Sequence, residues 1–339
     1  MDCATLLVLR LPFALNSSHC MIEYVPVFKK RLFLAIKILV FLAVCLWVGK
    51  ELVKSWDQIK GVQWEPNYLL LVLSGLCYIV AYVPAAIYWR FVMKTLGQKP
   101  GRYETFRAYY IGHLGKYIPG KAGVMVIRAG LLNHERTTLP AAAASVFVET
   151  MTMMAVGAFV AALTMLLWFQ HIEDSQRFTL LALGMVFCTA LPILPPVFHF
   201  ATKRLKKFQI ELKGLRFRTL ASGWLLNIPL WIMLGFSLWL TMLGFGMKSE
   251  SILAELPFCT LAISVSIVIG FASMLPGGFG TRELSLAYFL TLFFTTHPVG
   301  DLDPNVFAIV IAAVYRIISI LAELITSAML TVFSKRKRP

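Results

Sequence analysis

The chain has 339 residues, of which 58% are hydrophobic and only 14% are charged. A soluble domain carries about a quarter charged residues, so this composition excludes an ordinary soluble protein and indicates several membrane spans. The net charge is +15, from 32 basic and 17 acidic residues. Since the basic residues cluster in loops between apolar segments, they indicate membrane orientation and argue against nucleic-acid binding.

The first predicted helices follow an N-terminal extension, residues 1–30. This extension lacks the basic-then-apolar order of a signal peptide, and Met21 is an alternative start for the chain. A helical span needs about 20 mostly apolar residues. That length predicts the first span at 32–49 and the second at 68–93.

A Pro-Gly break interrupts the next apolar segment, residues 106–132. Each half is too short to cross a bilayer, so we expect the segment to enter the membrane and return on the same side. Irregular backbone survives at membrane depth only where it is buried in protein or lines a wet cavity. The candidate substrate-binding residues of this first break are Lys116, Pro119, Gly120, Lys121 and Arg128.

The second half of the chain repeats this order. Further spans are predicted at 139–169, 178–200, 220–245 and 306–333, and a second broken segment is predicted at 252–296. Both breaks contain Pro-Gly-x-x-Gly followed by an arginine. The candidate substrate-binding residues of the second break are Pro276, Gly277, Gly278, Gly280, Arg282 and Glu283.

These elements predict an all-α integral membrane protein with two inverted pseudo-repeats. The halves are 31–170 and 178–334, followed by a basic tail at 335–339. Placing the Lys- and Arg-rich loops in the cytoplasm puts both termini inside. Each half would then carry a re-entrant hairpin, which gives six full spans and two hairpins, and a pair of broken helices at matching positions indicates a transport site. The alternative is eight plain spans.

The broken tips suit an anionic ligand. A helix that restarts after a glycine directs free N–H groups and a positive dipole end toward the break. Lys116, Lys121, Arg128 and Arg282 add positive charge nearby. A lipid phosphate is the expected occupant. The alternative is that these side chains reach the water interface and only orient the hairpins.

Three charged residues lie inside predicted spans. Glu149 is about ten residues into its helix, and burying a lone carboxylate costs at least ~2.5–3.5 kcal/mol. Arg316 and Glu323 lie seven residues apart, on one face of the last helix. We expect these three and the tip arginines to form a polar cluster that pairs or gates charge between the repeats. The alternative is an ion-pair network with a purely structural role.

Enzyme signatures are missing from the sequence. It contains no Gly-x-Ser-x-Gly, His-Glu-x-x-His, Walker or complete Gly-x-Gly-x-x-Gly motif, and its six histidines are dispersed. We therefore expect a non-enzymatic protein without a cofactor or a metal.

The two breaks together resemble the paired motifs of the lysylphosphatidylglycerol synthase transmembrane-region family. The segments that carry the resemblance are Gly115-Lys116-Tyr117-Ile118-Pro119-Gly120-Lys121, with Arg128 beyond it, and Leu275-Pro276-Gly277-Gly278-Phe279-Gly280-Thr281-Arg282-Glu283. The resemblance implies a flippase-like membrane domain over about residues 30–330. It also implies a stand-alone member, because the 339 residues contain no region resembling the aminoacyl-transferase domain of the fused proteins.

These observations predict a lipid flippase of the bacterial cytoplasmic membrane that moves an anionic phospholipid or polyprenyl-phosphate lipid. A lipid-modifying enzyme or a glycosyltransferase is the expected partner, and no nucleic acid is expected. The rival hypothesis is a non-transporting membrane partner of a lipid-linked glycosyltransferase or an envelope-assembly system. An intramembrane transferase is a third hypothesis.

Overall fold

The structure is a computed structural model that describes residues 65–118, 122–132, 136–168, 175–202, 215–300 and 302–335. Throughout these residues the chain forms helices and no β-strand. Five helical segments are long and apolar enough to cross a membrane, which confirms an all-α integral membrane protein. The predicted extension at 1–30 and the predicted span at 32–49 lie outside the described residues.

The predicted span at 68–93 is present as two helices with a kink between them. Helix α1 comprises Tyr68–Ala81 and α2 comprises Val83–Thr95, and together they form one membrane-crossing unit. Asn67 caps α1 by accepting a hydrogen bond from the Leu70 N–H at 3.4 Å. The kink follows from Pro84, which has no N–H to donate and whose ring crowds the preceding turn.

The first broken segment forms two short helices before a long one. The elements are α3 (Arg102–His113), a 3₁₀ turn (Leu114–Tyr117), α4 (Ala122–Gly130) and α5 (Leu139–Trp168). At about 1.5 Å per residue, neither α3 nor α4 reaches across a bilayer, whereas α5 does. We call α3, the turn and α4 hairpin 1.

The sequence predicted one continuous helix at 178–200. This prediction is wrong, because the structure has a break within the segment. It consists of α6 (Ser175–Ala190), a 3₁₀ turn (Leu191–Ile193) and α7 (Pro195–Thr202). Pro192 and Pro195 each remove a backbone donor and disfavour α-helix in the residue before them. This signal was visible in the sequence, since the segment reads LPILPP.

The remaining helices lie close to their predicted bounds. They are α8 (Phe217–Gly244), α9 (Ile252–Ala272), a 3₁₀ turn (Pro276–Gly278), α10 (Thr281–Thr296) and α11 (Pro304–Lys335). We call the segment from α9 to α10 hairpin 2. With 21 residues, α9 is long enough to cross a membrane, while α10 has 16 and is short for a crossing. The two hairpins therefore differ in the length of their first arm.

Helix α8 lies at the centre of the described bundle and packs against α1, α2, α5 and α9. Small residues allow these close contacts. Gly223 lies against the Tyr88 ring of α2, and Gly235 lies against Thr260 of α9. Toward α1, the hydroxyls of Ser74 and Ser237 lie 3.0 Å apart, so a hydrogen bond joins the two helices. Lipid offers no hydrophobic drive for helix association, so such small and polar contacts hold the helices together.

Candidate functional site

Hairpin 1 closes tightly because two of its glycines face each other. A Cβ on Gly115 would overlap the backbone of Gly123, and a Cβ on Gly123 would overlap the carbonyl of Gly115. On the same two arms, Gly112 lies directly against the side chain of Arg128. Only a residue without a side chain allows backbones to approach so closely. This approach determines where α4 presents Arg128.

Arg128 forms a buried ion pair with Glu149 of α5. Its Nη1 donates to Glu149 Oε2 at 2.7 Å, and neither side chain has more than 3% of its surface exposed. Tyr109 donates to the other carboxylate oxygen at 3.0 Å, and its ring lies 3.8 Å from the guanidinium carbon. Trp89 contacts the guanidinium from 5.3 Å. The charge of Arg128 is therefore compensated within the protein.

The tip of hairpin 2 contains three glycines with left-handed backbone angles. Gly277, Gly278 and Gly280 have φ of 60°, 69° and 81°. These angles are disfavoured for residues with a side chain, which explains the run of glycines after Pro276. The chain re-enters a helix at Thr281, where Glu283 Oε2 accepts a hydrogen bond from the N–H of Gly280 at 2.6 Å.

Arg316 of α11 holds this tip in place. Its Nη2 donates to the carbonyl of Gly277 at 2.8 Å, and its Nε lies 2.9 Å from Glu283 Oε1. The Nε contact is an ion pair and not an aligned hydrogen bond, since neither atom meets hydrogen-bond geometry. The guanidinium also stacks over the Phe279 ring, 4.7 Å from its centre.

Glu323, two turns further along α11, is contacted by donors from α1 and from hairpin 1, both in the first half of the chain. Tyr78 of α1 and Lys116 of hairpin 1 both hydrogen-bond to its Oε1. Tyr117 donates to Oε2 at 2.9 Å. His113 Nε2 lies 3.6 Å from Oε1. A single buried carboxylate thus links hairpin 1 to the last long helix.

The tips of the two hairpins are in contact. The rings of Tyr117 and Phe279 lie 5.9 Å apart. A Cβ on Gly277 would come within 2.7 Å of the Tyr117 ring. We call the contact region the tip junction; its residues are Lys116, Tyr117, Gly277, Phe279, Arg282, Glu283, Arg316 and Glu323.

Arg282 is the cation of the tip junction that forms no salt bridge among the described residues. Its side chain is buried, with 7% of the residue exposed, and no described acidic side chain forms a salt bridge with it. Its Nη2 is buried without a hydrogen-bond partner. Its charge interacts with three tyrosines, Tyr78, Tyr82 and Tyr315, and more weakly with Glu283, which pairs with Arg316. A buried guanidinium without a counter-ion is costly, so the site is suited to an anion.

The charges of the tip junction do not cancel among its described residues. Lys116, Arg282 and Arg316 are cationic, and Glu283 and Glu323 are anionic. One positive charge remains in excess, and Arg282 is the cation of the three that forms no salt bridge. A singly charged phosphodiester would neutralise it.

The structure brings the predicted site residues together in two groups. Arg128 and Glu149 pair with each other inside the first half, whereas Lys116, Arg282, Glu283, Arg316 and Glu323 meet at the tip junction. His113 and Tyr109 stack between the groups, with ring centres 6.3 Å apart. Pro119, Gly120 and Lys121 lie outside the described residues.

Several residues of the site were not predicted from the sequence. Tyr78, Tyr109, Tyr117 and His113 all contact the charged groups. Tyr78 and Tyr82 are spaced i, i+4 in an otherwise apolar helix, a spacing that places both on one face and could have indicated a polar lining. For Tyr109, no comparable pattern pointed to Glu149, which lies 40 positions later in the chain.

Several long apolar helices and buried charged side chains define a multi-pass membrane protein with a polar interior. The chain belongs to the family described as Lysylphosphatidylglycerol synthase TM region, which matches residues 34–326. This confirms the resemblance drawn from the two broken segments, and the family is a membrane domain linked to lipids. The chain matches no curated protein.

Within the described residues, no group of histidine, cysteine and acidic side chains is arranged to hold a metal ion.

Proposed function

We propose that this protein is a lipid flippase that moves an anionic lipid across a membrane without catalysing a covalent reaction. The headgroup phosphate would bind Arg282 at the tip junction, while the acyl or prenyl tails stay in the bilayer. The observation that carries the proposal is the buried, unpaired charge of Arg282. Intramembrane ionisable residues are rare because they are costly, and one without a protein partner is a strong indication of a ligand.

The contact between the hairpins supports the same function. Transport sites lie where broken helices of two repeats meet, near the middle of the bilayer. The 3₁₀ turns at both tips bring Tyr117 and Phe279 together beside Arg316. A headgroup bound there would touch both halves, so a rocking of one half against the other could expose it on either side.

The location belongs to the proposal as well. The excess of basic residues in the loops predicts that both termini lie in the cytoplasm, and the membrane we propose is the bacterial cytoplasmic membrane. The partner we propose is an enzyme that makes or uses the transported lipid, such as a lipid-modifying enzyme or a glycosyltransferase.

The experiment is headgroup reorientation in vesicles that contain the purified chain. Fluorescent phosphatidylglycerol is the anionic probe and fluorescent phosphatidylcholine is the zwitterionic control. We expect the wild-type protein to accelerate reorientation of the anionic probe, and Arg282→Gln to reduce the rate by about tenfold or more, which corresponds to the loss of a charge-assisted hydrogen bond. Arg102→Gln, at an exposed position at the start of α3, is the matched control and should retain the rate.

The outcome also separates the rival hypothesis. If the wild-type protein alone reorients neither probe, and activity appears only when an envelope enzyme is added, the result would favour the non-transporting partner. Equal thermal unfolding midpoints of the two variants in detergent would show that Arg282→Gln is folded.

A further inference from the structure

His113 lies between the two charged groups and has no hydrogen-bond partner for its Nε2. Its side chain is 13% exposed, and Nε2 is 3.6 Å from Glu323 Oε1. The imidazole packs against the Tyr82 ring at 4.6 Å and the Tyr109 ring at 6.3 Å. A buried imidazole so close to a carboxylate is a group whose charge can change with the occupancy of the site.

The groups that face His113 come from each neighbouring element. They are Tyr82 between α1 and α2, Tyr109 of α3, Lys116 of the 3₁₀ turn, Arg128 of α4, Arg282 of α10 and Glu323 of α11. Three of these are cations, which oppose a charge on the imidazole, as burial does. Only Glu323 favours the charge. The buried position, the cations and the missing hydrogen bond at Nε2 together favour a neutral imidazole while Arg282 has no anion.

An anion at Arg282 changes this balance. It neutralises Arg282, the tip-junction cation that forms no salt bridge among the described residues. It thereby removes one of the positive charges that oppose protonation of His113. The imidazole can then accept a proton and point Nε2–H at Glu323 Oε1, with both ring nitrogens carrying hydrogen.

We propose that binding of an anionic headgroup at Arg282 is coupled to the uptake of one proton by His113. The inference rests on the proposed function. The proton comes from water as the phosphodiester arrives, and it returns to water when the headgroup leaves, so the net charge of the protein–ligand site is the same in both states. By reciprocal linkage, a proton gradient would then favour headgroup binding on the more acidic side of the membrane.

The test is calorimetric titration of the full chain in detergent with dihexanoylphosphatidylglycerol, whose phosphodiester keeps one charge between about pH 5 and 8. Titrations in buffers with different ionisation enthalpies give the number of protons taken up per bound lipid. We expect uptake approaching one proton near neutral pH, and an affinity that falls by up to about tenfold per unit of rising pH.

The variants assign the proton to His113. His113→Gln should bind the lipid with no proton uptake and a flat pH profile. His297→Gln is the matched control, because His297 stacks on Phe293 at the end of α10 and should leave the uptake unchanged. Dihexanoylphosphatidylcholine is the control lipid.

Each outcome decides a different question. Binding by wild type without proton uptake, or uptake that persists in His113→Gln, overturns the coupling but leaves the proposed function intact. No binding of the anionic lipid, or equal binding of both lipids, overturns the proposed function itself. If His113→Gln does not fold, the wild-type titration still decides, since zero uptake is incompatible with the coupling.

Discussion

Lys116 of hairpin 1 and Glu323 of α11 form an ion pair that joins the two halves of the described bundle. Glu323 is buried and Lys116 is partly buried, since their side chains are 6% and 19% exposed. Tyr78 and Tyr117 donate to the same carboxylate, so Glu323 accepts from three side chains at once. Buried ion pairs stabilise a structure only with such supporting hydrogen bonds, and removal of one partner leaves an uncompensated charge.

The first prediction concerns this pair. Glu323→Gln should lower the free energy of unfolding by up to about 3 kcal/mol, because Lys116 then stays partly buried without a counter-ion. The double variant Lys116→Gln/Glu323→Gln should be more stable than the sum of the single variants predicts, by about 0.5–3 kcal/mol. Thermal unfolding in detergent measures both effects. Lys94→Gln, at an exposed position near the end of α2, is the control and should change little.

The second prediction concerns Glu149. Glu149→Gln should reduce the yield of folded protein and its unfolding temperature, because Arg128 is 2% exposed and would lose its counter-ion. Arg128→Gln/Glu149→Gln should recover part of the loss. The matched control is Glu250→Gln, since Glu250 is exposed. Unchanged yield and activity in Glu149→Gln would contradict both the structural and the functional role of the pair.

The sequence could predict which charged residues need a partner, but it could not predict which residues the partners are. Glu149 was recognisable as a carboxylate deep in an apolar helix, and a pairing was expected. Its partner, Arg128, is 21 positions away, on a short helix whose direction depends on the Gly115–Gly123 contact. Nothing in local periodicity encodes that approach.

Arg316 and Glu323 illustrate the same limit. Their seven-residue spacing correctly places them on one face of α11, but their partners come from different hairpins. Arg316 pairs with Glu283 of hairpin 2, while Glu323 pairs with Lys116 of hairpin 1. Helix length and apolar composition, by contrast, predicted the bounds of α5, α8 and α11 within about three residues, because a bilayer dictates span length.

The third prediction concerns the closure of hairpin 1. Gly115→Ala should destabilise the protein by about 1–3 kcal/mol or more, since the new methyl group would overlap the backbone of Gly123. Gly130→Ala is the matched control in the same hairpin, because no atom lies within 4 Å of a Cβ there. It should be neutral or slightly stabilising. Equal unfolding temperatures for the two variants would show that the arms are not in close contact.

The last prediction isolates the contact between the hairpin tips. Gly277 and Gly300 both have φ of +60°, so an alanine at either position costs about 1–2 kcal/mol in backbone strain. At Gly277 the added Cβ would meet the Tyr117 ring at 2.7 Å and Arg316 Nη2 at 3.1 Å, whereas at Gly300 it meets nothing within 4 Å. The difference between the two variants therefore measures crowding at the tip junction, against both Tyr117 and Arg316, with the backbone strain cancelled.

If the tip junction holds the transported headgroup, Gly277→Ala should slow reorientation of anionic lipid severalfold more than Gly300→Ala does. The reason is that displacement of Tyr117 also disturbs its hydrogen bond to Glu323 and moves the hairpins apart beside Arg282. A further change of Tyr117→Ala would make room for the methyl group, so the double variant should show less of the steric loss. Equal transport by Gly277→Ala and Gly300→Ala would mean that translocation does not depend on the contact between the tips.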